Sequence, residues 1–327
     1  MKRIVMMLMS LMVAFSAISF AGCACEHDYG WVSNETTHAI ECKHCGDRQE
    51  ESVGAHEIEE VQAKRATYTK DGNEKGSRCT ICQRILEGCK IIPASTPFRG
   101  KSFGDLKYCA YEPELQKGEK VPLVLYLHGA GERGNDNERQ LKHTINKVIY
   151  HGSTSPFMDA VVIAPQCPSS ITWTGVDHAG GVYLSEPETE ILKKVMSLVQ
   201  KYLSYDYIDK ERVYVVGLSM GGYATWDLLA RYPDVFAAGI PICGSGPIDK
   251  VNVLKEIPIY AFHGKLDPLV PYEGSLYMVN AILEAGGERV LLKTYENGYH
   301  DIWNQAITFE GDERIPALAE WLFSQSK

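Results

Sequence analysis

The sequence lacks any run of basic residues beyond its first few positions, and its 42 acidic side chains outnumber its 33 lysines and arginines. The formal net charge is therefore −9 at pH 7. Proteins that bind nucleic acid usually present a basic surface that neutralises phosphates. This charge balance argues against a nucleic-acid partner, and the hydrophobic share of 45% is ordinary for a globular protein with a core.

Cysteine is scarce beyond residue 89, where the chain has only Cys109, Cys167 and Cys243. The remainder of its 10 cysteines lie within residues 23–89, a region that is polar and poor in long apolar runs. Such a segment buries too little apolar surface to fold without disulfides or a metal. A domain boundary is therefore expected near residue 90.

The cysteine and histidine spacing before this boundary is typical of a zinc module. A C-x2-C pair can turn both sulfurs onto one tetrahedral ion, and a neutral imidazole can complete the set. A second pair at 79–82 suggests two diverged copies of one unit, but no histidine trails it, which argues against a second site. Disulfides or free thiols are the alternatives in an exported protein. The predicted zinc ligands are His38, Cys42, Cys45 and His56, with His27 as a competing histidine.

The first 22 residues have the pattern of an export signal, with Lys2 and Arg3 before a largely apolar run from Ile4 to Phe20. The end of the run resembles a bacterial lipobox, in which cleavage before Cys23 leads to a lipoprotein. Phe20 stands where leucine is usual, so lipidation and simple secretion are both left open. An uncleaved membrane anchor is a further alternative, because the run is rather long for a signal. In each case we predict a secreted or cell-surface protein.

Beyond residue 102, short β-branched runs alternate with segments of helical period. We predict an early antiparallel strand over 103–111 and a helix over about 187–204. This alternation predicts an α/β fold, with a mostly parallel sheet covered by helices on both faces. The other predicted elements are strands at 122–128, 160–165, 213–216, 238–243, 259–262 and 290–295, and helices at 221–231, 275–285 and 314–324.

One of these strands runs directly into a serine that two glycines flank. Residues 217–221 fit the nucleophile-elbow pattern G-x-S-x-G, with a buried strand before them and a helix after them. The turn is so tight that larger side chains at Gly217 and Gly221 would clash. The pattern predicts Ser219 as a nucleophile at a helix N-terminus.

A serine nucleophile needs a general base, and the base needs an acid to orient it. His300 follows the last predicted strand and is expected to take the proton from Ser219. Asp267 follows the strand before that one and is expected to hold the imidazole, with Asp249 and Asp301 as alternatives. The order serine, aspartate, histidine is that of the α/β-hydrolase fold.

The oxyanion of such a reaction needs two N–H donors. One is predicted to be the backbone amide of Met220, and the other that of Ala130, in the glycine-rich loop after strand 122–128. This loop lacks the G-K-[ST] ending of a phosphate loop, so we do not expect it to bind phosphate. His128 and His263, at the ends of two strands, are predicted to support their loops.

Together these ordered features resemble secreted α/β-hydrolase carboxylesterases, namely the feruloyl-esterase-like and depolymerase-like members of the phospholipase/carboxylesterase group. The resemblance covers roughly residues 100–327. It rests on the loop at 128–137, the segment 165–168 with Trp173, the elbow and the Asp267/His300 pair. It implies a triad of Ser219, Asp267 and His300, and a substrate site shaped by Glu132, Asn135, Gln166 and Trp173. Glu132, Gln166 and Trp173 are the predicted substrate-binding residues.

We therefore predict an exported serine carboxylesterase that forms an acyl-enzyme and needs no cofactor for catalysis. Its partner would be a small-molecule or polymer-linked ester and, in the alternative that Cys23 is lipidated, also a membrane. Too few residues separate Cys243 from Ile259 for a helical cap, which favours bulky or polymer-attached esters. The resemblance implies acyl or feruloyl esters of plant polysaccharide among them. A prolyl-oligopeptidase-like peptidase and a non-catalytic surface binding protein are the alternatives. The predicted organisation is a signal at 1–22, a Cys/His-rich module at 23–90, a linker at 91–101 and an α/β-hydrolase domain at 102–327.

Overall fold

The computed structural model describes residues 26–67, 69–92, 94, 96–142, 156–175, 187–308, 311 and 317–327, so the predicted signal and Cys23 lie outside it. The chain forms two units. The small unit comprises the chain up to Lys64 together with Asn73–Lys90, and the large unit comprises Arg65–Gly72 together with Ile91–Lys327. The chain therefore changes unit at 64/65, at 72/73 and at 90/91. Within the large unit, the Ala94 amide donates a hydrogen bond to the Asp71 carboxylate at 2.7 Å.

The small unit contains two antiparallel sheets of three strands each. The central strand of each sheet, β2 or β6, ends at the first cysteine of a C-x2-C pair. The two-residue strands β5 and β8 lie where the chain changes unit. The sheets consist of β1 (Tyr29–Ser33), β2 (Thr37–Cys42) and β3 (Arg48–Ala55), and of β4 (Ile58–Val61), β6 (Gly76–Cys79) and β7 (Ile85–Gly88); β5 is Gly72–Asn73 and β8 is Ile91–Ile92.

The large unit is built on an eight-stranded sheet with the order β16-β15-β14-β13-β11-β12-β10-β9. Strands β11 to β16 pair in parallel, and β10 and β9 add an antiparallel edge. The strands are β9 (Arg99–Phe103), β10 (Leu106–Tyr111), β11 (Val121–Leu127), β12 (Val161–Pro165), β13 (Ile208–Leu218), β14 (Ala238–Ile242), β15 (Ile259–Gly264) and β16 (Val290–Tyr295).

Helices pack on both faces of this sheet. Helix α1 begins after Thr189, whose hydroxyl caps it by accepting a hydrogen bond from the Leu192 amide at 3.3 Å. The described helices are α1 (Glu190–Leu203), α2 (Met220–Arg231), α3 (Val251–Leu254), α4 (Glu273–Glu284), α5 (Trp303–Ile307) and α6 (Leu318–Phe323), with 3₁₀ turns at Ala130–Glu132, Arg139–Leu141, Pro156–Asp159 and Ile248–Lys250.

The core is divided between the two faces because successive strand residues point to opposite sides. In β13, Val213 and Val215 join the apolar cluster that includes α1, α2 and α4. Tyr214 and Val216 join the other cluster, which includes α5 and α6. The predicted α/β class, with a mostly parallel sheet covered on both faces, is confirmed. Among the described residues, no helix is both long and apolar enough to span a bilayer.

Candidate active site

Ser219 occupies the single position between the end of β13 at Leu218 and the start of α2 at Met220. Its backbone has φ 53° and ψ −118°, a conformation that is costly for a residue with a side chain. A Cβ added to Gly217 would collide with the carbonyl oxygen of Gly221, and one added to Gly221 would collide with that of Leu127. Glycine is therefore required on both sides of the serine.

The structure brings Ser219, His300 and Asp267 into one hydrogen-bonded chain. Nε2 of His300 lies 2.9 Å from Oγ of Ser219, and Nδ1 lies 2.6 Å from Oδ2 of Asp267. Ser219 follows β13, Asp267 follows β15 and His300 follows β16. These strands are parallel, so their carboxyl ends meet at one edge of the sheet and deliver the three side chains together.

Asp267 is the most enclosed member of this chain, since its side chain is 0% exposed against 14% for His300. Its Oδ1 accepts the amides of Leu269 and Val270, both at 2.9 Å, and its Oδ2 also lies 3.4 Å from Nε2 of His263. Burial alone raises the pKa of this carboxyl, but the hydrogen bonds from His263, His300 and the two amides outweigh it. The pKa of Asp267 is therefore held well below its ordinary value, and the group is ionised at neutral pH.

Two buried side chains, those of His263 and Cys243, lie next to Asp267. Nδ1 of His263 lies 2.7 Å from Oγ of Ser275, and its Nε2 lies 3.1 Å from the Val270 carbonyl, which as an acceptor requires a hydrogen on Nε2. The Cys243 sulfur groups with ligand atoms of His263 and Asp267 within 4.8 Å. Sequence reasoning anticipated the loop support from His263 but missed Cys243. The only signal for Cys243 is its position directly after β14, at the same sheet edge.

The two predicted oxyanion donors belong to segments next to the serine in the structure. The first bond of helix α2 runs from the Tyr223 amide to the Ser219 carbonyl, so the amide of Met220 precedes the helical ladder. Ala130 opens the 3₁₀ turn in the loop after β11. The neighbouring Gly129 adjoins the nucleophile, because a Cβ added there would lie 3.5 Å from Cβ of Ser219. The Gly129–Ala130 loop therefore runs beside the serine.

His128 holds this loop from the interior, where it is fully buried. Its Nδ1 donates to the Gly129 carbonyl at 2.6 Å, and its Nε2 accepts the Cys167 amide at 2.9 Å. Burial lowers the pKa of His128 to about 4, so the ring is neutral at pH 7. The loop has the spacing G-x-G-x-x-G at 129–134, but it forms a 3₁₀ turn instead of opening a helix, which does not fit a dinucleotide-binding loop.

Gln166, predicted to bind substrate, is instead occupied within the protein. It is buried, and its Oε1 accepts the Asn137 amide at 2.8 Å. Its Nε2 donates to Oδ1 of Asp136 at 2.9 Å and to the Glu132 carbonyl at 3.2 Å. These bonds use both ends of the side-chain amide, so Gln166 braces the loop that follows Ala130 and offers little to a substrate.

Trp173 and Glu132, the other two predicted substrate residues, are also buried. The indole Nε1 of Trp173 donates to the His128 carbonyl at 3.1 Å, and the ring packs against the His128 imidazole. Oε2 of Glu132 lies 3.9 Å from Nδ1 of His128. Both side chains therefore support the strand end and loop beside Ser219. Asn135 is exposed, and the loop predicted over 166–186 is described only as far as residue 175.

The predicted metal ligands are separated into two groups. His38 and His56 lie with Cys79 and Cys82, whereas Cys42 and Cys45 lie with His27. His38 and Cys42 share strand β2, where residues four apart are separated by about 13 Å and cannot bind one ion. The set His38, Cys42, Cys45 and His56 is thus not a single site, and the second C-x2-C pair has histidines that precede it instead of trailing it.

The mostly parallel eight-stranded sheet, the nucleophile elbow, and the serine, aspartate and histidine at its strand ends define an α/β hydrolase. The chain belongs to the phospholipase/carboxylesterase family, which matches residues 114–309. The predicted resemblance to this group is therefore confirmed.

Individual relatives of the chain include proteins that are named as an esterase or a depolymerase. The chain is 45% identical over 154 residues to poly(3-hydroxyalkanoate) depolymerase C of Paucimonas lemoignei, covering 45% of this chain and 33% of that protein. It is 26% identical over 166 residues to a protein of Nocardia uniformis subsp. tsuyamanensis named as the esterase NocK, covering 50% of this chain and 44% of that one. The match thus spans less than half the length of either relative. The crystal structure of a thermostable esterase has a TM-score of 0.60 at 29% identity, covering 86% of this chain and 79% of that one.

Proposed function

We propose that this protein is an exported serine carboxylesterase that works through a covalent acyl-enzyme. The observation that carries the proposal is the hydrogen-bonded chain from Ser219 through His300 to Asp267 at the strand ends. Nucleophile, base and orienting acid are in contact, in the order typical of α/β hydrolases. Family membership supports an ester as the substrate.

In the first half of the reaction, Oγ of Ser219 attacks the carbonyl carbon of the ester while its proton passes to Nε2 of His300. The ionised Asp267 accepts the Nδ1–H bond and stabilises the imidazolium that forms. The backbone amides of Met220 and Ala130 donate to the oxyanion of the tetrahedral intermediate. The C–O bond to the alcohol then breaks, the alcohol leaves with the proton from His300, and the acyl group stays on Ser219.

In the second half, a water molecule gives a proton to Nε2 of His300 and attacks the acyl carbon. The same two amides stabilise the second oxyanion. The bond to Oγ breaks, Ser219 regains its proton from His300, and the carboxylic acid leaves. The cycle regenerates the starting protonation states and needs no metal or organic cofactor.

A polymer-linked or bulky ester is the substrate class that the surroundings favour, including acyl or feruloyl esters of plant polysaccharide. Between Cys243 and Ile259 the chain forms only a 3₁₀ turn and the one-turn helix α3, so no cap covers the site from there. Leu266, Leu269 and Tyr299, on the loops that carry Asp267 and His300, are exposed apolar side chains suited to a large organic group.

A serine-reactive fluorophosphonate probe and a panel of esters and peptides test the proposal. We expect labelling of the native protein and cleavage of aryl, acetyl or feruloyl esters. Ser219→Ala should abolish labelling and lower ester turnover at least about 10⁴-fold. The matched control Ser197→Ala, exposed on α1, should retain both. A native protein without labelling would favour a surface binding protein, and cleavage of peptides alone would favour a peptidase.

Export is the cellular part of the proposal, and the charged and apolar pattern of residues 1–22 supports it. Fractionation and N-terminal sequencing of the natural protein should find residues 1–22 removed. Labelled fatty acid tests whether Cys23 is lipidated, and Cys23→Ser should then abolish labelling while Cys25→Ser retains it. A cytoplasmic protein with residues 1–22 intact would contradict export.

A further inference from the structure

We propose that the small unit binds one structural zinc ion through His38, His56, Cys79 and Cys82. One ligand atom from each of these residues lies within 4.8 Å of all the others. His38 and Cys79 are buried, at 4% and 0% exposure, and His56 and Cys82 are half-buried. Two imidazoles and two thiols around a buried point are the ligand set of a closed structural zinc site.

The separations between sulfur and nitrogen match those around a tetrahedral ion. Zinc lies about 2.3 Å from thiolate sulfur and about 2.0–2.1 Å from imidazole nitrogen, which puts neighbouring S and N ligands about 3.6 Å apart. In the protein, Sγ of Cys79 lies 3.7 Å from Nδ1 of His38, and Sγ of Cys82 lies 3.6 Å from Nδ1 of His56. The same nitrogen of each ring, Nδ1, faces the sulfurs.

The second nitrogen of His56 has the partner that a zinc-binding histidine needs. Nε2 lies 2.9 Å from the carbonyl oxygen of Asn34, which can only accept, so Nε2 carries the hydrogen and Nδ1 offers its lone pair to the ion. The Asn34 turn is itself fixed, because its Oδ1 accepts the amides of Thr36 and Thr37 at 2.9 and 2.8 Å. The ring is therefore oriented for coordination by the protein itself.

The two C-x2-C turns have the same backbone geometry. The Cys42 amide donates to the Asp47 carbonyl at 2.8 Å, and the Cys79 amide donates to the Arg84 carbonyl at 2.9 Å, five residues ahead in both cases. In each turn the residue after the second cysteine, Gly46 or Gln83, has a positive φ. Its backbone amide donates a hydrogen bond to the carbonyl of the first cysteine.

Each turn also has a histidine two residues before the first strand of its sheet: His27 before β1 and His56 before β4. The fourth ligand of the second site, His38, comes from the central strand of the first sheet. The proposed ion therefore joins the two copies of the repeat, and neither copy contains all four ligands by itself. Among the described residues, the first turn has only His27 with Cys42 and Cys45.

The small unit needs such a link because it has almost no apolar core. Among its described residues, the buried non-polar side chains are Ala39 and three cysteines, Cys42, Cys79 and Cys89. Large apolar residues such as Trp31 and Ile58 are exposed instead. A unit of this size without a core is stabilised by a metal or by disulfides.

Zinc analysis of the full chain, purified from zinc-supplemented medium, tests the ligand set. We expect His38→Ala and Cys82→Ser each to lose one zinc per chain, and the double variant to lose no more than either single variant. Cys45→Ser, in the equivalent position of the other turn, should retain at least one zinc. Loss of all zinc in Cys45→Ser together with retention in Cys82→Ser would overturn the proposal, as would a zinc-free native protein with a Cys79–Cys82 disulfide.

A measurement on the unmodified chain covers the case in which the variants do not fold. Iodoacetamide followed by peptide mass mapping should leave Cys79 and Cys82 unmodified in the zinc-bound protein and modify both after chelation. Cobalt substituted for zinc should give the intense visible bands of a tetrahedral ion with two thiolates. Fluorophosphonate labelling of Ser219 reports whether the large unit is folded. Rapid alkylation of Cys79 and Cys82 with zinc bound would contradict the site.

Discussion

Nδ1 of His300 lies 2.6 Å from Oδ2 of Asp267, whereas Asp301, the next residue along the chain, is exposed. Sequence position alone left Asp249 and Asp301 as rivals of Asp267. The buried contact selects Asp267 because it alone is packed against the imidazole nitrogen that must keep its hydrogen.

Replacing this carboxylate tests the selection. Asp267→Asn should lower kcat about 10³–10⁴-fold, because the amide favours the wrong tautomer of His300 and cannot stabilise its cation. Asp301→Asn, its matched control, should stay within about 2-fold, as expected of an exposed site. Steady-state kinetics on one activated ester gives both numbers. A larger loss of kcat in Asp301→Asn than in Asp267→Asn would show that Asp267 is not the residue that orients His300.

The glycines beside Ser219 are so closely packed that one added methyl group is expected to lower the stability of the large unit. Gly221→Ala would drive Cβ into the Leu127 carbonyl and should destabilise the large unit by about 3 kcal/mol or more. Gly131→Ala adds the same methyl group where no neighbour lies within 4 Å, and should change stability by less than about 1 kcal/mol. Urea unfolding of the two variants measures the difference. Equal stabilities would show that the elbow can relax.

His128 predicts a pH dependence of folding. Its folded pKa of about 4 lies below the ordinary value of 6.5, so between these values the unfolded chain binds more protons than the folded one. The free energy of unfolding should therefore fall by about 1.4 kcal/mol per pH unit as pH drops from about 6.5. The total loss should amount to about 3 kcal/mol near pH 4.

A substitution isolates this contribution. His128→Gln can still donate to the Gly129 carbonyl and accept from the Cys167 amide but does not titrate, so its stability should lose this slope. Unfolding free energies from urea titrations at pH 4.5, 5.5 and 6.5 provide the comparison. Measurements at pH 8, where the histidine is neutral in both states, serve as the reference for each protein. An unchanged slope in the variant would place the titrating group elsewhere.

Substitution of Gln166 tests whether this side chain braces the loop or contacts the substrate. Gln166→Ala leaves the Asn137 amide and the Glu132 carbonyl without their buried partner, and should cost about 2–4 kcal/mol of stability. Because Ala130 directly precedes the loop segment that Gln166 braces, kcat should fall by a similar factor for small and bulky esters. Gln200→Ala, at an exposed position of helix α1, is the matched control and should change neither quantity much. A rise of KM for one ester alone would instead identify Gln166 as a specificity residue.

The elbow and its partners were predictable because each depends on a short local pattern. G-x-S-x-G encodes a backbone turn, and Asp267 and His300 each follow a strand whose β-branched residues are visible in the sequence. Parallel strands then bring such ends together without further information.

The metal ligands and Cys243 were not predictable in this way, because they depend on distances across sheets. His38 and Cys42 are only four residues apart in the sequence, but the extended strand that contains both holds them about 13 Å apart, and His38 lies with the cysteines of the second repeat. Gln166 and Trp173 resemble contact residues in composition, and only their hydrogen bonds reveal that they brace a loop. Cys243 has no motif, and only the sheet topology brings it beside Asp267.

The three unit changes of the chain have a consequence for how the protein can be divided. Removing everything before Ile91 would also remove Arg65–Gly72 from the large unit, including the Asp71 carboxylate that accepts the Ala94 amide. A single protease cut between residues 90 and 91 would likewise leave the N-terminal piece with Arg65–Gly72, a segment that belongs to the large unit. Because the chain passes between the two units three times, a single cut cannot remove or exchange the Cys/His unit without also taking a segment of the large unit.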